Sequence, residues 1–132
     1  MIPDGGYRIL VAGPDCWADG FTVFRVLNEI LTEQGTPLTV ILGDTVKGCG
    51  QITRMWCQVH PPGMIGMKAR PGWGSRVLAE RSRPHLVVAF LVPCQAAGCP
   101  GRGLHWDHDP WECVTYAEAT GIKVRTLEAV TA

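Results

Sequence analysis

The chain has 132 residues, of which 46% are hydrophobic, and its 12 basic side chains balance 12 acidic ones. This length and apolar content suit one domain, residues 1–132, with one core. The zero net charge argues against bulk nucleic-acid binding, which draws its affinity from phosphate neutralisation. No run of about 18 apolar residues is present to cross a membrane. The start "MIPDGGYRILVAGPDC" lacks a basic stretch followed by an apolar signal segment, so a cytoplasmic protein is expected.

Taken in chain order, "YRILVA" (Tyr7 to Ala12) is a short apolar run ending at Gly13 and reads as a buried strand. After the loop "GPDCWADG", apolar residues fall at Phe21, Phe24, Leu27, Ile30 and Leu31, which is helical spacing. Asp19 is the expected N-cap and Gly35 the stop. Leu38 to Leu42 reads as a second buried strand, followed by the glycine-rich turn "GDTVKGCG" and a helix over about Gln51 to Val59. The stretch from His60 to Gly74 holds three prolines and four glycines, and only a short strand at Met64 to Lys68 is expected there. Ser75 to Arg83 reads as a helix with Val77 and Leu78 inward, and "LVVAFLV" (Leu86 to Val92) as the clearest buried strand. A loop over 93–109 precedes a helix with Asp109 as N-cap, Pro110 at N1 and Glu112 at N3, and the strand "GIKVRTL" closes the chain. Strands alternating with helices imply an α/β fold in which helices cover both faces of a parallel sheet.

In such sheets ligands sit at the carboxyl ends of the strands, near the switch in strand order. Three glycine-rich loops, 13–20, 43–50 and 93–103, follow strands and open on that edge. The first offers Gly13, Pro14, Asp15, Cys16 and Trp17, with backbone amides that suit an anion and a carboxylate that suits a ribose hydroxyl. The second offers Gly43, Asp44, Lys47 and Gly48. It is no Walker motif, since Lys47 precedes Gly48 rather than following the glycine, but a lysine there can meet a phosphate. Beyond these, Ser75 and Arg76 stand at a helix start where the arginine can fork onto a phosphate, and Trp73 can stack on a base. In the third loop Gly101, Arg102 and Gly103 permit close backbone approach and a phosphate contact.

Six cysteines in a chain this large and apolar do not suggest a disulfide scaffold. Cys94, Cys99, His105, His108 and Cys113 form a Cys-x4-Cys-x5-His-x2-His-x4-Cys series. It lacks the tight Cys-x2-Cys pair of structural zinc sites. The reading is therefore of no metal, with Cys94, Cys99, His105 and His108 as the residues a zinc would use. Cys113 shares a helix face with Val114 and Ala117 and reads as core.

Several segments resemble, in order, the YspA-like family of the SLOG superfamily. "YRILVAGPDCW" resembles that family's "VLVTGSRDW" opening, and "LTVILGDTVKGCG" its second strand and "HGACPTGAD" loop. "GSRVLAERSRPHLVVAF" is similar to "RNRxMLxxxRPDLVVAF", and "WECVTYAEATGIKVRTL" to "xxCVRxAxxAGIPVRRx". The resemblance implies a small three-layer Rossmann-like domain, common in bacteriophages and bacteria, that binds nucleotides or nucleotide-derived molecules. It extends over Gly13, Pro14, Asp15 and Trp17, over Gly43, Asp44 and Gly48, and over Ser75 and Arg76. "PGRGL" (Pro100 to Leu104) stands where the family has a "PGGRGT" phosphate loop. The first-loop "SRD" is "PDC" here, the last loop carries the insertion "VPCQAAG", and the glutamate of the related phosphoribohydrolases has no counterpart. The expected function is ligand binding, as a sensor or sequestering protein, with no cofactor required and a homo-oligomer as its assembly. The alternatives are a nucleoside or nucleotide N-glycosidase using Asp15, Asp44 or Asp107, and a zinc-stabilised interaction module.

Overall fold

A computed structural model of the chain describes residues 6–35, 38–42, 47–60, 74–94 and 105–129. The elements are β1 (Tyr7–Ala12), α1 (Gly20–Gln34), β2 (Leu38–Ile41), α2 (Gly48–Val59), α3 (Ser75–Ser82), β3 (Leu86–Leu91), α4 (His108–Thr120) and β4 (Lys123–Glu128). The strand expected at Met64 to Lys68 and the residues Gly43, Asp44, Trp73, Cys99, Gly101, Arg102 and Gly103 lie outside the described residues.

The four strands form an all-parallel sheet in the order β2-β1-β3-β4. Tyr7 pairs with Leu38, Ile9 with Leu86, and Leu86 with Lys123. β1 and β3 are central, and their continuous apolar runs follow from burial on both faces. Side chains alternate across the pleat. Ile9, Val11, Leu38, Val40, Val88 and Phe90 meet α1 and α2 on one face. Leu10, Ala12, Ile41, Val87, Ala89 and Leu91 meet α3 and α4 on the other. The result is the expected Rossmann-like α/β architecture with helices on both faces. No helix of the described residues is long and apolar enough to cross a membrane.

Helix α1 begins as its sequence indicates. The Asp19 carboxylate accepts the Thr22 amide at 3.1 Å and the Thr22 hydroxyl at 2.5 Å, and these hydrogen bonds hold its pKa below the ordinary carboxylate value. The buried stripe, however, is Val23, Val26, Leu27 and Ile30. Phe21, expected inward, is 79% exposed. Two apolar stripes overlap on this helix, sharing Leu27 and Ile30, and the one that runs through Val23 and Val26 is the one the core buries. Helix α2 is anchored to α1 by Trp56, which is fully buried and donates its indole N–H to Asn28 at 2.8 Å. Across the sheet edge, Arg125 of β4 forms an ion pair with Glu29 of α1, which lowers the glutamate pKa. Helix α3 buries Leu78, Ala79 and Ser82, while Val77 is only half-buried.

Helix α2 starts three residues earlier than its periodicity predicts, inside the glycine-rich turn. Gly48 has φ +59°, and a Cβ there would lie 2.4 Å from the Asp15 carbonyl oxygen and 2.5 Å from that of Pro14. Only glycine permits both the left-handed backbone and this approach. Gly48→Ala is expected to destabilise the fold by about 2–4 kcal/mol, the left-handed penalty plus overpacking against backbone, measured as a shift in the urea midpoint.

Arg8, the second residue of β1, and His85, directly before β3, are tied to each other outside the paired residues of the two strands. The Arg8 amide donates to His85 Nδ1 at 2.9 Å, and the His85 amide returns a bond to the Arg8 carbonyl at 2.8 Å. His85 also stacks on Tyr7 with ring centroids 5.1 Å apart. Accepting at Nδ1 requires an unprotonated nitrogen there. Slight desolvation of the exposed ring, with the nearby Arg8 charge, lowers the His85 pKa from its ordinary value. The folded state therefore binds this proton less readily than the unfolded chain. The contribution is complete above the unfolded pKa of about 6.5 and is lost as pH falls through the depressed folded value. In urea titrations below about pH 6.5, the wild-type midpoint should fall more steeply than that of His85→Asn, which keeps an acceptor and does not titrate.

Candidate functional site

The strand order reverses between β1 and β3, because β2 lies on one side of β1 and β3 on the other. A cleft of about 450 Å3 opens at this switch point, lined by Gly13, Pro14, Asp15, Cys16, Val92, Pro93, Asp107 and Asp109. Such a crevice beyond the strand carboxyl ends is where open α/β sheets take ligands, and its volume suits a small organic molecule. A second hollow of about 420 Å3 shares Cys16 and Val92 with it and extends along Trp17, Asp19, Thr22 and Arg25 to Leu127.

One wall is the loop after β1. The Pro14 carbonyl accepts the Trp17 amide and the first-turn Cys49 amide of α2, each at 3.3 Å. Gly13 sits so near α2 that a Cβ would meet Cys49 Cβ and Sγ at 2.7 Å and Phe90 Cβ at 3.2 Å. The loop is thus held from behind by α2, and Asp15 and Cys16 are left exposed on the open side. Trp17 points inward instead. It is buried against Phe90 at 5.1 Å between ring centroids and donates its indole N–H to the Asp19 carbonyl. Its main role is to close the core beneath the loop.

The other wall comes from the β3 end and the start of α4. Helix α4 begins at His108 with Asp107 as N-cap, two residues before the expected Asp109. Asp109 has a different use: its carboxylate accepts the Ser75 amide at 3.0 Å and the Ser75 hydroxyl at 2.5 Å. It caps α3, not its own helix, because Gly74 allows that carboxylate to approach where a Cβ would lie 2.7 Å from its oxygen. Pro110 consequently falls at the third helical position, still within the first turn where no amide partner is needed. Asp109→Ala should lower stability by about 1 kcal/mol, the ordinary value of a side-chain N-cap. Ser75→Ala should do less, since the backbone bond survives; thermal melts of both variants provide the comparison.

Of the residues expected at a site, Gly13, Pro14, Asp15 and Cys16 line the main cleft. Gly48 supports it from behind through the Pro14 and Asp15 carbonyls, and the exposed Lys47 is the N-cap of α2. Ser75 reaches the cleft only through Asp109. Arg76, expected to fork onto a phosphate, is exposed and pairs with Glu80 one turn along α3 at 3.1 Å. Val92, Pro93 and Asp109 were not anticipated as lining residues. The proline directly after an apolar strand was the available signal.

Three of the four residues that the sequence offers to a zinc, Cys94, His105 and His108, come together beside this wall. Pro93 and Trp106 form an isolated antiparallel bridge, with the Cys94 amide bonded to the His105 carbonyl and the Asp107 amide to the Val92 carbonyl, both at 2.7 Å. The bridge sets Cys94 opposite His105, and the start of α4 brings in His108. Cys94 Sγ lies 3.6 Å from His108 Nε2, and His105 Nε2 lies 3.1 Å from the same nitrogen. The three side chains place donor atoms within 4.8 Å of one another. Cys113 is fully buried in the α3–α4 core, as its helix face indicates, and takes no part.

Burial divides the described thiols. It pushes Cys49 and Cys113 up to about 12 and Cys57 up to about 11, whereas Cys16 is exposed in the cleft. Inert buried thiols contrast with accessible ones. Native alkylation with iodoacetamide should label Cys16 while Cys49 and Cys113 react only after denaturation, as read by peptide mass spectrometry.

Compared with family models, curated proteins and solved structures, the chain matches none. The class that fold and geometry define is a small Rossmann-like α/β domain with an open cleft at its topological switch point.

Proposed function

We propose that this protein binds a nucleotide or nucleotide-derived small molecule in the cleft between the ends of β1 and β3. The carrying observation is the position of that cleft at the strand-order reversal, with a tightly anchored glycine loop on one side and a helix start on the other. Exposed Asp15 and half-buried Asp107 supply acceptors suited to ribose hydroxyls. The described lining contains carboxylates and no basic side chain, which favours the sugar and base of a ligand over a bare phosphate at this point. The resemblance to YspA-like proteins of the SLOG superfamily supports the same ligand class and the reading of a sensor or sequestering protein.

One observation favours the N-glycosidase as a second reading. Asp15 and Asp107 line the same cleft, and carboxylates facing a sugar can stabilise an oxocarbenium-like centre.

Thermal-shift and calorimetric titration with nucleosides, nucleotides, cyclic nucleotides and ADP-ribose derivatives test both readings. Binding is expected for at least one of these, with Asp15→Asn weakening it by about tenfold or more, the loss of one charge-assisted hydrogen bond. Release of free base during the titration identifies the glycosidase. Absence of any stabilisation across the panel overturns the binding reading.

A further inference from the structure

We propose that Cys94, His105 and His108 form a binding site for a thiophilic divalent metal ion, zinc by the chemistry of its donors. Sulfur and imidazole nitrogen are the ligands zinc favours, in tetrahedral arrangement. Bond lengths of about 2.3 Å to sulfur and about 2.0–2.1 Å to nitrogen place tetrahedral sulfur and nitrogen donors roughly 3.6 Å apart, and two nitrogens roughly 3.3 Å apart. The observed separations are 3.6 Å from Cys94 Sγ to His108 Nε2 and 3.1 Å from His105 Nε2 to His108 Nε2. The two edges that meet at His108 therefore already stand close to those of a zinc tetrahedron, and the third pair of donors lies within 4.8 Å.

Hydrogen bonding alone accounts for this cluster less well. His108 Nε2 has both partners within contact distance. A neutral imidazole nitrogen offers either one N–H or one lone pair, so it serves one of the two partners and leaves the other contact unmade. A cation at the centre takes a lone pair from all three. The backbone also positions the donors independently of any ion: the Pro93–Trp106 bridge sets Cys94 against His105, and the first residue of α4 supplies His108.

The described residues supply three donors, and a tetrahedral ion takes a fourth ligand beside them, a water or ligand in open zinc sites and a protein group in closed ones. Pro93 and Asp107, chain neighbours of the donors, line the cleft, so the ion would stand at its rim and add positive charge beside the cleft carboxylates. The site stands whether or not the cleft takes a nucleotide, and its test needs no organic ligand.

The test is metal analysis and cobalt substitution of the full chain. Protein purified without chelator and dialysed after incubation with zinc should retain it stoichiometrically. Cobalt(II) loaded into chelator-stripped protein should give visible bands of tetrahedral intensity and a thiolate-to-cobalt charge-transfer band. Cys94→Ser should abolish the charge-transfer band. His105→Ala and His108→Ala should each weaken zinc affinity by at least about 100-fold, beyond the loss typical of a group that only supports a ligand. Circular dichroism verifies that each variant is folded, and His105→Asn and His108→Asn replace any alanine variant that is not. Zinc content below about a tenth of an equivalent after loading, or cobalt spectra unchanged in Cys94→Ser, overturns the proposal. Tetrahedral bands without charge transfer in the wild type also overturn it, since they describe a surface histidine pair rather than this site.

Discussion

The close seating of α2 on the loop after β1 is the constraint on which the cleft depends. Gly13 accepts the first turn of α2 at a distance no side chain would permit, and Gly48 brings the same turn against the Pro14 and Asp15 carbonyls. Because α2 is itself locked to α1 through Trp56 and Asn28, the loop rests on a packed layer rather than on solvent. Close-packed interiors are poorly compressible and transmit strain. A shift of α2 would therefore carry Asp15 and Cys16 with it.

The opposite wall is built differently. Asp109 reaches from α4 to cap α3, joining the two helices that cover the second face of the sheet. Asp107 starts α4, and the bridge between Pro93 and Trp106 closes the chain back onto the end of β3. One wall thus depends on glycines that allow close backbone packing, the other on polar side chains and an added bridge. The second arrangement is also what gathers Cys94, His105 and His108, so the proposed ligand cleft and the proposed metal site share a single piece of backbone.

Much of the architecture was legible because burial leaves a strong mark on sequence. "YRILVA", "LTVIL" and "LVVAFLV" are apolar on both faces, as strands covered by helices must be, and each lies in the sheet. Asp19 and Gly35 bound α1 as their chemistry indicates, and Cys113 is core. Helix faces and caps were less legible where two solutions compete locally. Phe21 and Val23 each begin an apolar stripe, and the sheet selects the second. Asp107 and Asp109 each suit an N-cap, and the nearness of Gly74 and Ser75 draws Asp109 away to α3.

By itself, the sequence determined the alternation of strands and helices and the parallel sheet buried on both faces. Those features follow from local periodicity and from the conformations that glycine, proline and capping residues allow. Tertiary structure decided the strand order, the side on which Phe21 and Trp17 face, the partner of Asp109, and the convergence of Cys94 with His105 and His108. The strand order, the burial of Trp17 on Phe90 and the partner of Asp109 are contacts between segments distant in the chain. Such a contact is chosen by the packing of whole elements and leaves no periodic trace in the sequence, while the Cys94, His105 and His108 series is visible as residue types but not as a geometry until the Pro93–Trp106 bridge forms.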